Sequence, residues 1–507
     1  MTSRRLANTG LWGLAFLIFA GHFYFNNQYG YFRDEFNYIA CGEHLDWGFV
    51  DHPPLIPLLV QFCRVLFGDS LRVIRLVPAL ASALTVVLSG AIARRLGGGP
   101  FAMLLTAVSV ALAPVFLSDG SLLTTNCLEP LLWMGCVWFA LQAIDGQPTD
   151  HPGAWLGFGV VLGLGLQEKY SIAIFAVALI AGLLLTPERR VLTNRWVWVG
   201  AMAAVAIFLP NFLWNVNHHW PFLELMRNIR ASGRDTQLSV PRYFVEQLLL
   251  VGPLSAPLWL AGLAGLLMRR EFRAYRFLGL SYILTFAFFA FSHGKNYYLA
   301  PVYPMLLAAG ATWLERSNYA LLRAGALILV MAGGAVLMPV TVPILPPEKL
   351  AAYLDSLPFE VPRSEVSFKN AALPQHYADQ FGWQELVEVT ARGWARLTPQ
   401  DQRECAIFGQ NYGQAGAIDF LGKSFHLPKA LSGNQSYFLW GPRGYSGSCM
   451  IVIGDRQLRL LDLFESIEPW GETSSPYARE NRIPVYLCRR PKFGSLDELW
   501  PQLKAWR

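Results

Sequence analysis

The chain has 507 residues, of which 53% are hydrophobic and 15% are charged, and its formal net charge is +6. A soluble domain carries about 25% charged residues, so these totals exclude an ordinary soluble protein. The excess positive charge comes mostly from arginines beside apolar runs and does not indicate nucleic-acid binding.

Apolar runs follow one another from Leu11 to Leu345. Each is roughly 17–25 residues long, which is the length that crosses about 30 Å of hydrocarbon. The first run ends in aromatic residues and has no small-residue cleavage site after it, so we predict an uncleaved first span. The sequence therefore predicts a polytopic α-helical membrane protein with about eleven transmembrane helices: 10–28, 72–93, 101–118, 122–143, 154–168, 171–186, 196–214, 247–268, 276–292, 297–314 and 320–342.

Arginine distribution predicts the orientation of these spans. By the positive-inside rule, the arginine-rich connectors face the cytoplasm. We therefore expect a cytoplasmic N-terminus and a C-terminal region outside the cytoplasm, although arginines also occur in the predicted outer loops. The arginine-rich connectors are 4–5, 94–95, 189–195, 269–276 and 316–323.

Polar side chains collect at the predicted outer ends of the spans. Ionisable groups beside a bilayer are costly and usually serve a site. Their presence on one side favours an outward-facing site over a path across the membrane. The residues are Asp34, Glu35, Asp51, His52, Asp119, Lys169, His218, His219, His293 and Lys295.

Two outer loops are long enough for structure of their own. In the first, residues 29–70, helical spacing predicts short helices lying on the membrane. The segment 51–54 in the same loop must be extended or a turn, because a residue before proline avoids the helical region. The second, residues 215–246, is expected to contain an amphipathic helix.

Prolines at 343, 346 and 347 mark the predicted end of a transmembrane domain, 1–345, and the start of a soluble α/β domain, 346–507. Three short apolar runs in the second domain predict buried strands, at 405–408, 449–453 and 483–488. Helical patterns cover about 383–396, 412–421, 456–465 and 495–505. Cys405, Cys449 and Cys488 allow one disulfide, and the sequence does not select the pair.

Several motifs in the first 345 residues resemble one family. They are Asp34-Glu35, Asp51-His52-Pro53-Pro54, Ser118-Asp119-Gly120, Gln167-Glu168-Lys169-Tyr170 and Gly294-Lys295-Asn296-Tyr297-Tyr298. The chain resembles the GT-C glycosyltransferases that use polyprenyl-phosphate sugars, in the bacterial branch related to protein O-mannosyltransferases and lipid A aminoarabinose transferases. The segment Phe408–Asp419, with Ser432-Gly433-Asn434, looks like the extracytoplasmic domain of a bacterial subgroup.

The resemblance implies roles for particular residues. Asp34 corresponds to the catalytic base of the first outer loop, and Asp119 to a second outer acid. The aminoarabinose transferases have a Glu-Lys pair where this chain has Asp51-His52, so phosphate contact must come partly from elsewhere. The expected substrate-binding residues are Arg33, Glu35, Asp51, His52, Lys169, Tyr170, Lys295, Tyr297 and Tyr298.

The chemistry of such a transfer explains these residue types. A carboxylate within hydrogen-bond reach can deprotonate an acceptor hydroxyl. Cations such as Lys169, Lys295, Arg33 or His52 can neutralise the departing phosphate. The implied partners are a polyprenyl-phosphate sugar donor, a lipid, glycan or protein acceptor, and membrane lipids. The implied reaction is an inverting single displacement.

Other interpretations of these residues remain open. Asp34 and Glu35 could be solvated acids, Asp119 could cap a helix, and the two lysines could extend to the interface. His218 and His219, with Asp51 and His52, could hold a divalent metal ion, the one cofactor that the sequence suggests.

Two other functions compete with the transferase. A transporter or flippase of lipid-linked sugars should show repeats and charges in the middle of spans, and the sequence shows neither. A non-catalytic membrane anchor would leave the outer polar cluster without a role.

Overall fold

The computed structural model describes residues 2–145, 152–233, 237–317, 319–362, 365, 371–455 and 457–506. Parts of the predicted connector 144–153 and of the second outer loop lie outside the described residues. The α-helices up to residue 341, numbered in chain order, are α1 (Thr2–Phe25), α2 (Arg33–Glu43), α3 (Leu55–Phe67), α4 (Leu71–Ile74), α5 (Leu76–Arg95), α6 (Pro100–Leu112), α7 (Pro114–Ser121), α8 (Glu129–Ile144), α9 (Pro152–Leu166), α10 (Ser171–Leu184), α11 (Arg195–Asn217), α12 (Pro221–Ser232), α13 (Val240–Val251), α14 (Ala256–Met268), α15 (Arg276–Phe291), α16 (Tyr303–Arg316) and α17 (Ala320–Thr341).

The remaining chain mixes short helices with a small sheet. Its helices are α18 (Pro347–Ser356), α19 (Gln375–Ala378), α20 (Trp383–Trp394), α21 (Pro399–Glu404), α22 (Tyr412–Leu421), α23 (Gln435–Leu439), α24 (Gln457–Leu463) and α25 (Leu496–Leu499). Its strands are β1 (Cys405–Gly409), β2 (Cys449–Ile453), β3 (Phe464–Glu472) and β4 (Pro484–Pro491).

Contacts divide the chain into two compact units. Unit 1 comprises 1–28, 72–213 and 236–364, and unit 2 comprises 29–71, 214–235 and 365–507. The first outer loop therefore belongs to the same unit as the C-terminal region, although it is distant from that region in sequence. The functional boundary predicted at residue 345 stays a prediction.

Unit 1 consists of apolar helices. Five helices of the described chain are long and apolar enough to cross a membrane, or up to eight spans if each bent pair is counted as one. The predicted number of about eleven is not confirmed. In unit 1, α9 packs closely on α11 because Gly159 has no side chain. A Cβ there would collide with the backbone of Gly200.

Two predicted spans are interrupted in the structure, and a third begins later than predicted. The span 101–118 breaks at Ala113, where α6 and α7 meet at 62°, because Pro114 pushes the preceding residue into an extended conformation. The span 247–268 bends by 95° between α13 and α14, at Gly252 and Pro253, where glycine takes a positive φ of 98°. The span 297–314 starts later than predicted, since Asn296–Val302 is a 3₁₀ helix.

Unit 2 confirms several local predictions. Helices α2 and α3 are the short helices expected in the first outer loop, residues 51–54 between them are non-helical, and α12 is the helix expected in the second. On α3, the exposed face is apolar at Leu58, Phe62 and Val65, which is consistent with a helix beside lipid.

The sheet of unit 2 has the order β1-β2-β4-β3. Strands β1 and β2 are parallel, whereas β4 is antiparallel to both β2 and β3. Three strands lie where the sequence predicts them. Strand β3 was not predicted from the sequence, because Pro469 and Gly471 interrupt its run of strand-forming residues. In the structure these two residues flank an irregularity in the β3–β4 register.

One disulfide joins the two parallel strands. Cys405 and Cys449 are register partners on β1 and β2 and are bonded to each other, which leaves Cys488 as a buried free thiol. The structure thus selects one of the three pairs that the sequence allowed. The bond joins the first residue of β1 to the first residue of β2.

Candidate active site

The first acidic motif lies at the N-terminus of α2. Glu35 is fully buried, and its carboxylate accepts a hydrogen bond from the backbone N–H of Phe32 at 2.8 Å. A carboxylate here satisfies an otherwise unpaired N–H and interacts well with the helix dipole. Glu35 therefore caps α2, and the substrate contact expected of it stays a prediction.

Asp34, its neighbour, is only half-buried and points to a different partner. The Tyr412 hydroxyl donates a hydrogen bond to Asp34 Oδ1 at 2.5 Å. The Arg33 guanidinium carbon lies 4.6 Å from the centre of the Tyr412 ring, within the range of a cation–π contact. Unit 2 thus brings the proposed base, an arginine and a tyrosine together.

Local structure explains how Tyr412 reaches this place. It is the first residue of α22, directly after Asn411, whose side chain caps the helix by accepting the N–H of Gln414 at 3.1 Å. A Cβ added at Gly413 would lie 2.7 Å from Arg33 Cγ, so only glycine allows α22 to approach α2 this closely. The segment Phe408–Asp419 contributes to the family resemblance, but the sequence did not identify Tyr412 as a site residue.

Carboxylates crowd the surroundings of Arg33 and Asp34. Burial raises the pKa of Asp379 to about 7, with further contributions from Asp34 and Glu480 that Arg33 and Arg479 oppose. Burial opposes the charge of Arg33, but its pKa is raised because Tyr412, Glu480, Asp379 and Asp34 interact with it. Such perturbed groups concentrate at functional sites. Asp379 and Glu480 were not predicted from sequence, because nothing local distinguishes them from other surface acids.

Asp51 and His52 form the second acidic turn. His52 is buried against the rings of Tyr38 and Phe49, with centroid distances of 4.9 and 5.1 Å. Its Nδ1 lies 2.9 Å from the Pro53 carbonyl oxygen, which can only accept, so Nδ1 carries a proton. Its Nε2 faces Asp51 Oδ1 at 3.6 Å. His52 is therefore held inside unit 2.

The carboxyl group of Asp51 has a second neighbour on α2. Asn37 Nδ2 donates to Asp51 Oδ2 at 3.3 Å. Burial raises the pKa of Asp51, His52 lowers it, and the charge of Asp34 raises it again. Asp51 is thus electrostatically connected to Asp34, while its predicted substrate contact stays a prediction.

A separate polar cluster lies within unit 1. Lys169 Nζ contacts Glu129 Oε2 at 2.7 Å and Asn126 Oδ1 at 2.6 Å. The same ammonium lies 4.6 Å from the centre of the Tyr298 ring and 5.9 Å from that of Tyr297. The structure therefore brings together three residues that the resemblance named. It also adds the buried Glu129, which lies within the predicted span 122–143.

Other predicted residues of unit 1 have definite surroundings. Asp119 lies inside helix α7, just beyond the predicted end of the span 101–118, and it interacts electrostatically with Glu129 and Lys169. The Tyr170 hydroxyl donates to Asn211 Oδ1 at 3.0 Å. The Lys295 carbonyl accepts from the Tyr243 hydroxyl at 3.3 Å.

The geometry does not support a metal site at His218 and His219. Within the described ranges, no group of three or more His, Cys, Asp or Glu side chains is arranged to hold a metal ion. His218 stacks on Trp214 with a centroid distance of 4.1 Å, and its Nδ1 lies 2.9 Å from the Trp214 carbonyl oxygen. His219 is exposed, with a positive φ of 59°. Both histidines therefore belong to the end of α11 and the turn after it.

Comparison with known proteins adds independent information. Residues 51–214 match the model of the family described as dolichyl-phosphate-mannose-protein mannosyltransferase. The chain is 30% identical over 291 residues to the undecaprenyl phosphate-alpha-4-amino-4-deoxy-L-arabinose arabinosyl transferase 1 of Pseudomonas fluorescens, covering 52% of this chain and 49% of that protein. It is 28% identical over 240 residues to the lipid A galacturonosyltransferase RgtD of Rhizobium johnstonii, covering 45% and 48%. The chain thus spans about half the length of the curated relatives that it matches.

The fold is similar over nearly the whole chain. The crystal structure of ArnT from Cupriavidus metallidurans bound to undecaprenyl phosphate superposes with a TM-score of 0.64 at 16% identity, covering 94% of this chain and 97% of that one. At this identity the likeness is evidence for the fold alone.

Proposed function

We propose that this chain, which has the GT-C membrane fold and resembles polyprenyl-phosphate-sugar transferases, is a multi-pass membrane glycosyltransferase. It moves a sugar from an undecaprenyl-type phosphate donor to an envelope lipid related to lipid A. The relatives named above carry activities of this kind, and one of them is named for lipid A itself. The reaction takes place on the outer face of a bacterial inner membrane, with the N-terminus cytoplasmic. A glycan or a protein is the alternative acceptor.

One observation carries the proposal. Asp34 is half-buried, held by the Tyr412 hydroxyl and surrounded by Asp51 and Asp379, whose pKa values are raised. A carboxylate that is partly accessible and oriented by a hydrogen bond suits a general base. The contacts of Glu35 and Glu43, at the same helix, suit structural roles instead.

In the proposed step, Asp34 Oδ2 removes the proton of the acceptor hydroxyl. The acceptor oxygen bonds to the anomeric carbon as the bond from that carbon to the phosphate oxygen breaks. The leaving group is polyprenyl phosphate, so one displacement inverts the anomeric centre. The membrane-embedded part of the fold suits a donor with a long prenyl chain.

Arg33 supports charge neutralisation of the leaving phosphate. Its Nε is buried and has no hydrogen-bond partner among the described residues. A guanidinium with an unused donor matches the geometry of a phosphate oxygen. His52 fits this task less well, since its ring is held between two aromatic rings inside unit 2.

Transfer by the purified full chain tests the proposal. The donors are undecaprenyl phosphates carrying radiolabelled 4-amino-4-deoxy-L-arabinose, other pentoses or hexoses, and the acceptor is lipid A in mixed micelles. We expect labelled lipid A from the unmodified protein and a roughly 10²–10⁴-fold lower rate from Asp34→Asn, because the variant cannot accept the proton. Absence of transfer from every donor contradicts the proposed activity with this acceptor, and an unaffected Asp34→Asn rate contradicts the assigned base.

Glu43 provides the matched control at the other end of α2. Its carboxylate is bound by Lys423, Lys429 and Arg64, and its pKa is lowered to about 2, since these cations outweigh the effect of burial. Glu43→Gln removes the same charge as Asp34→Asn from the same helix. We expect it to lower thermal stability while the transfer rate stays within about twofold.

A further inference from the structure

The closest polar contact of Asp34 comes from a distant part of the chain. Tyr412 and Asp34 are 378 residues apart, yet the phenol hydroxyl lies 2.5 Å from one carboxylate oxygen. Tyr412 lies in the C-terminal region, 346–507, whose role the sequence leaves open. This contact gives that region a specific connection to the proposed base.

The direction of this hydrogen bond follows from the environment of the phenol. Burial raises the pKa of Tyr412 well above its usual value, Arg33 lowers it in part, and Asp34 raises it further. Tyr412 therefore keeps its proton at physiological pH and donates it to the carboxylate. A hydrogen bond to a charged acceptor favours the ionised form of that acceptor.

The phenol is also held firmly. The backbone N–H of Tyr412 donates to Asn434 Oδ1 at 3.2 Å. Glu480 accepts from Asn411 and Gln414, each at 2.8 Å, so both polar residues of the first turn of α22 are anchored. On the other side, Arg33 lies over the Tyr412 ring. These contacts fix the hydroxyl relative to Asp34 without using the carboxylate itself.

We infer that Tyr412 is a positioning residue for Asp34: its hydroxyl binds Oδ1 and thereby directs Oδ2 to the acceptor hydroxyl. The C-terminal region then supplies part of the active site. This inference rests on the proposed function, since it assigns Asp34 the role of base.

The charges around this pair determine what a variant should do. The charged groups that interact with Asp34 or Tyr412 are Arg33 on α2, Asp51 in the turn after it, and Asp379 after α19. Glu480, before β4, interacts with Arg33 and Asp379. Tyr412→Phe leaves all of them in place and keeps the ring over which Arg33 lies. The variant removes only the hydroxyl that donates to Asp34 Oδ1, so it isolates the effect of that hydrogen bond.

The test compares Tyr412→Phe with Tyr437→Phe in the full chain, using the transfer assay between pH 5 and 9. Tyr437 is the matched control, because its buried hydroxyl donates to Asp419 Oδ2 at 3.0 Å in the same unit. For Tyr412→Phe we expect kcat to fall about tenfold, the acid limb of the profile to move about one pH unit higher, and KM for the donor to stay within about twofold. For Tyr437→Phe we expect a lower melting temperature with an unmoved acid limb.

If the parent is active and Tyr412→Phe keeps the same kcat and the same acid limb, the inference about Tyr412 is wrong, whereas the proposed function stands. Equal effects of the two substitutions also overturn it, because they would show a structural role only. A parent without transfer from any donor to lipid A instead contradicts the proposed function, and this inference falls with it.

A second variant covers the case in which Tyr412→Phe does not fold. A fluorinated tyrosine at position 412 keeps the shape and has a more acidic, stronger-donating hydroxyl. We expect its acid limb to move to lower pH than in the parent, and an unmoved limb counts against the inference.

Discussion

Each unit contains a polar cluster with several acids and at least one cation, but the two clusters differ in the group that binds the acid, which is an ammonium in unit 1 and a hydroxyl in unit 2. In unit 1, Glu129 is paired with Lys169 and also accepts a hydrogen bond from the Ser171 hydroxyl. In unit 2, Asp34 is held by a neutral hydroxyl, and the nearby carboxyls of Asp51 and Asp379 have raised pKa values.

The difference indicates different roles. A buried charge that is paired can be tolerated, and it becomes expensive when the partner is lost. In unit 2, burial raises the pKa of Asp379 to about 7, so this carboxyl can exchange its proton near neutral pH. We therefore interpret the first cluster as structural at least in part, and the second as suited to proton transfer.

Breaking the pair of unit 1 should have the largest effect on stability. Lys169→Met leaves Glu129, which is 2% exposed, without its cation. We expect a loss of about 3–5 kcal/mol in the free energy of unfolding, measured as a lower melting temperature in detergent. Lys169→Met/Glu129→Gln should recover most of this loss, because the double variant leaves no unpaired charge.

The same double variant separates the two roles of Lys169. Sequence resemblance predicts that Lys169 binds the donor phosphate, so the recovered protein should show a higher KM for the donor. A double variant with normal stability and normal KM would make Lys169 purely structural.

Packing in unit 2 can be tested at Gly413. A methyl group there would be 2.7 Å from Arg33 Cγ and 2.9 Å from the Trp383 ring. We expect Gly413→Ala to cost about 1–3 kcal/mol in the free energy of unfolding and to lower transfer by displacing Arg33. Gly325→Ala is the control, because no atom lies within 4 Å of the added methyl group. Equal melting temperatures of the two variants would contradict the close approach of α22 to α2.

The smallest expected effect is a difference in pH dependence. The pKa of Asp379 rises from 3.8 to about 7 on folding. Between these values the folded protein keeps a proton that the unfolded chain releases, so this group lowers stability as pH rises towards 7. The melting temperature of Asp379→Asn relative to the parent should therefore be higher at pH 8 than at pH 5.

Glu43 provides the opposite sign for comparison. Its pKa falls from 4.5 to about 2 on folding, so its contribution is present above pH 4.5 and is lost as pH falls towards 2. Glu43→Gln should therefore be most destabilised, relative to the parent, above pH 5. Parallel pH profiles for the Asp379 and Glu43 variants would contradict the opposite pKa shifts of these two groups.

Sequence alone determined the local features of this protein. Apolar runs predict the membrane-type helices, short β-rich runs predict three of the four strands, and proline predicts the non-helical turn at 51–54. The family motifs also identified Asp34, Lys169, Tyr297 and Tyr298, the last three of which meet in unit 1. These features depend on periodicity and backbone preference over a few residues, which a sequence contains directly.

Tertiary structure decided the rest. It selected Tyr412 as the partner of Asp34, Glu129 as the partner of Lys169, and Cys449 as the partner of Cys405. It also introduced the bends after α6 and α13, where the sequence predicts continuous spans. Partners that are tens to hundreds of residues apart are chosen by the path of the chain and by the cost of burying charge. Neither quantity is a property of any short stretch of sequence.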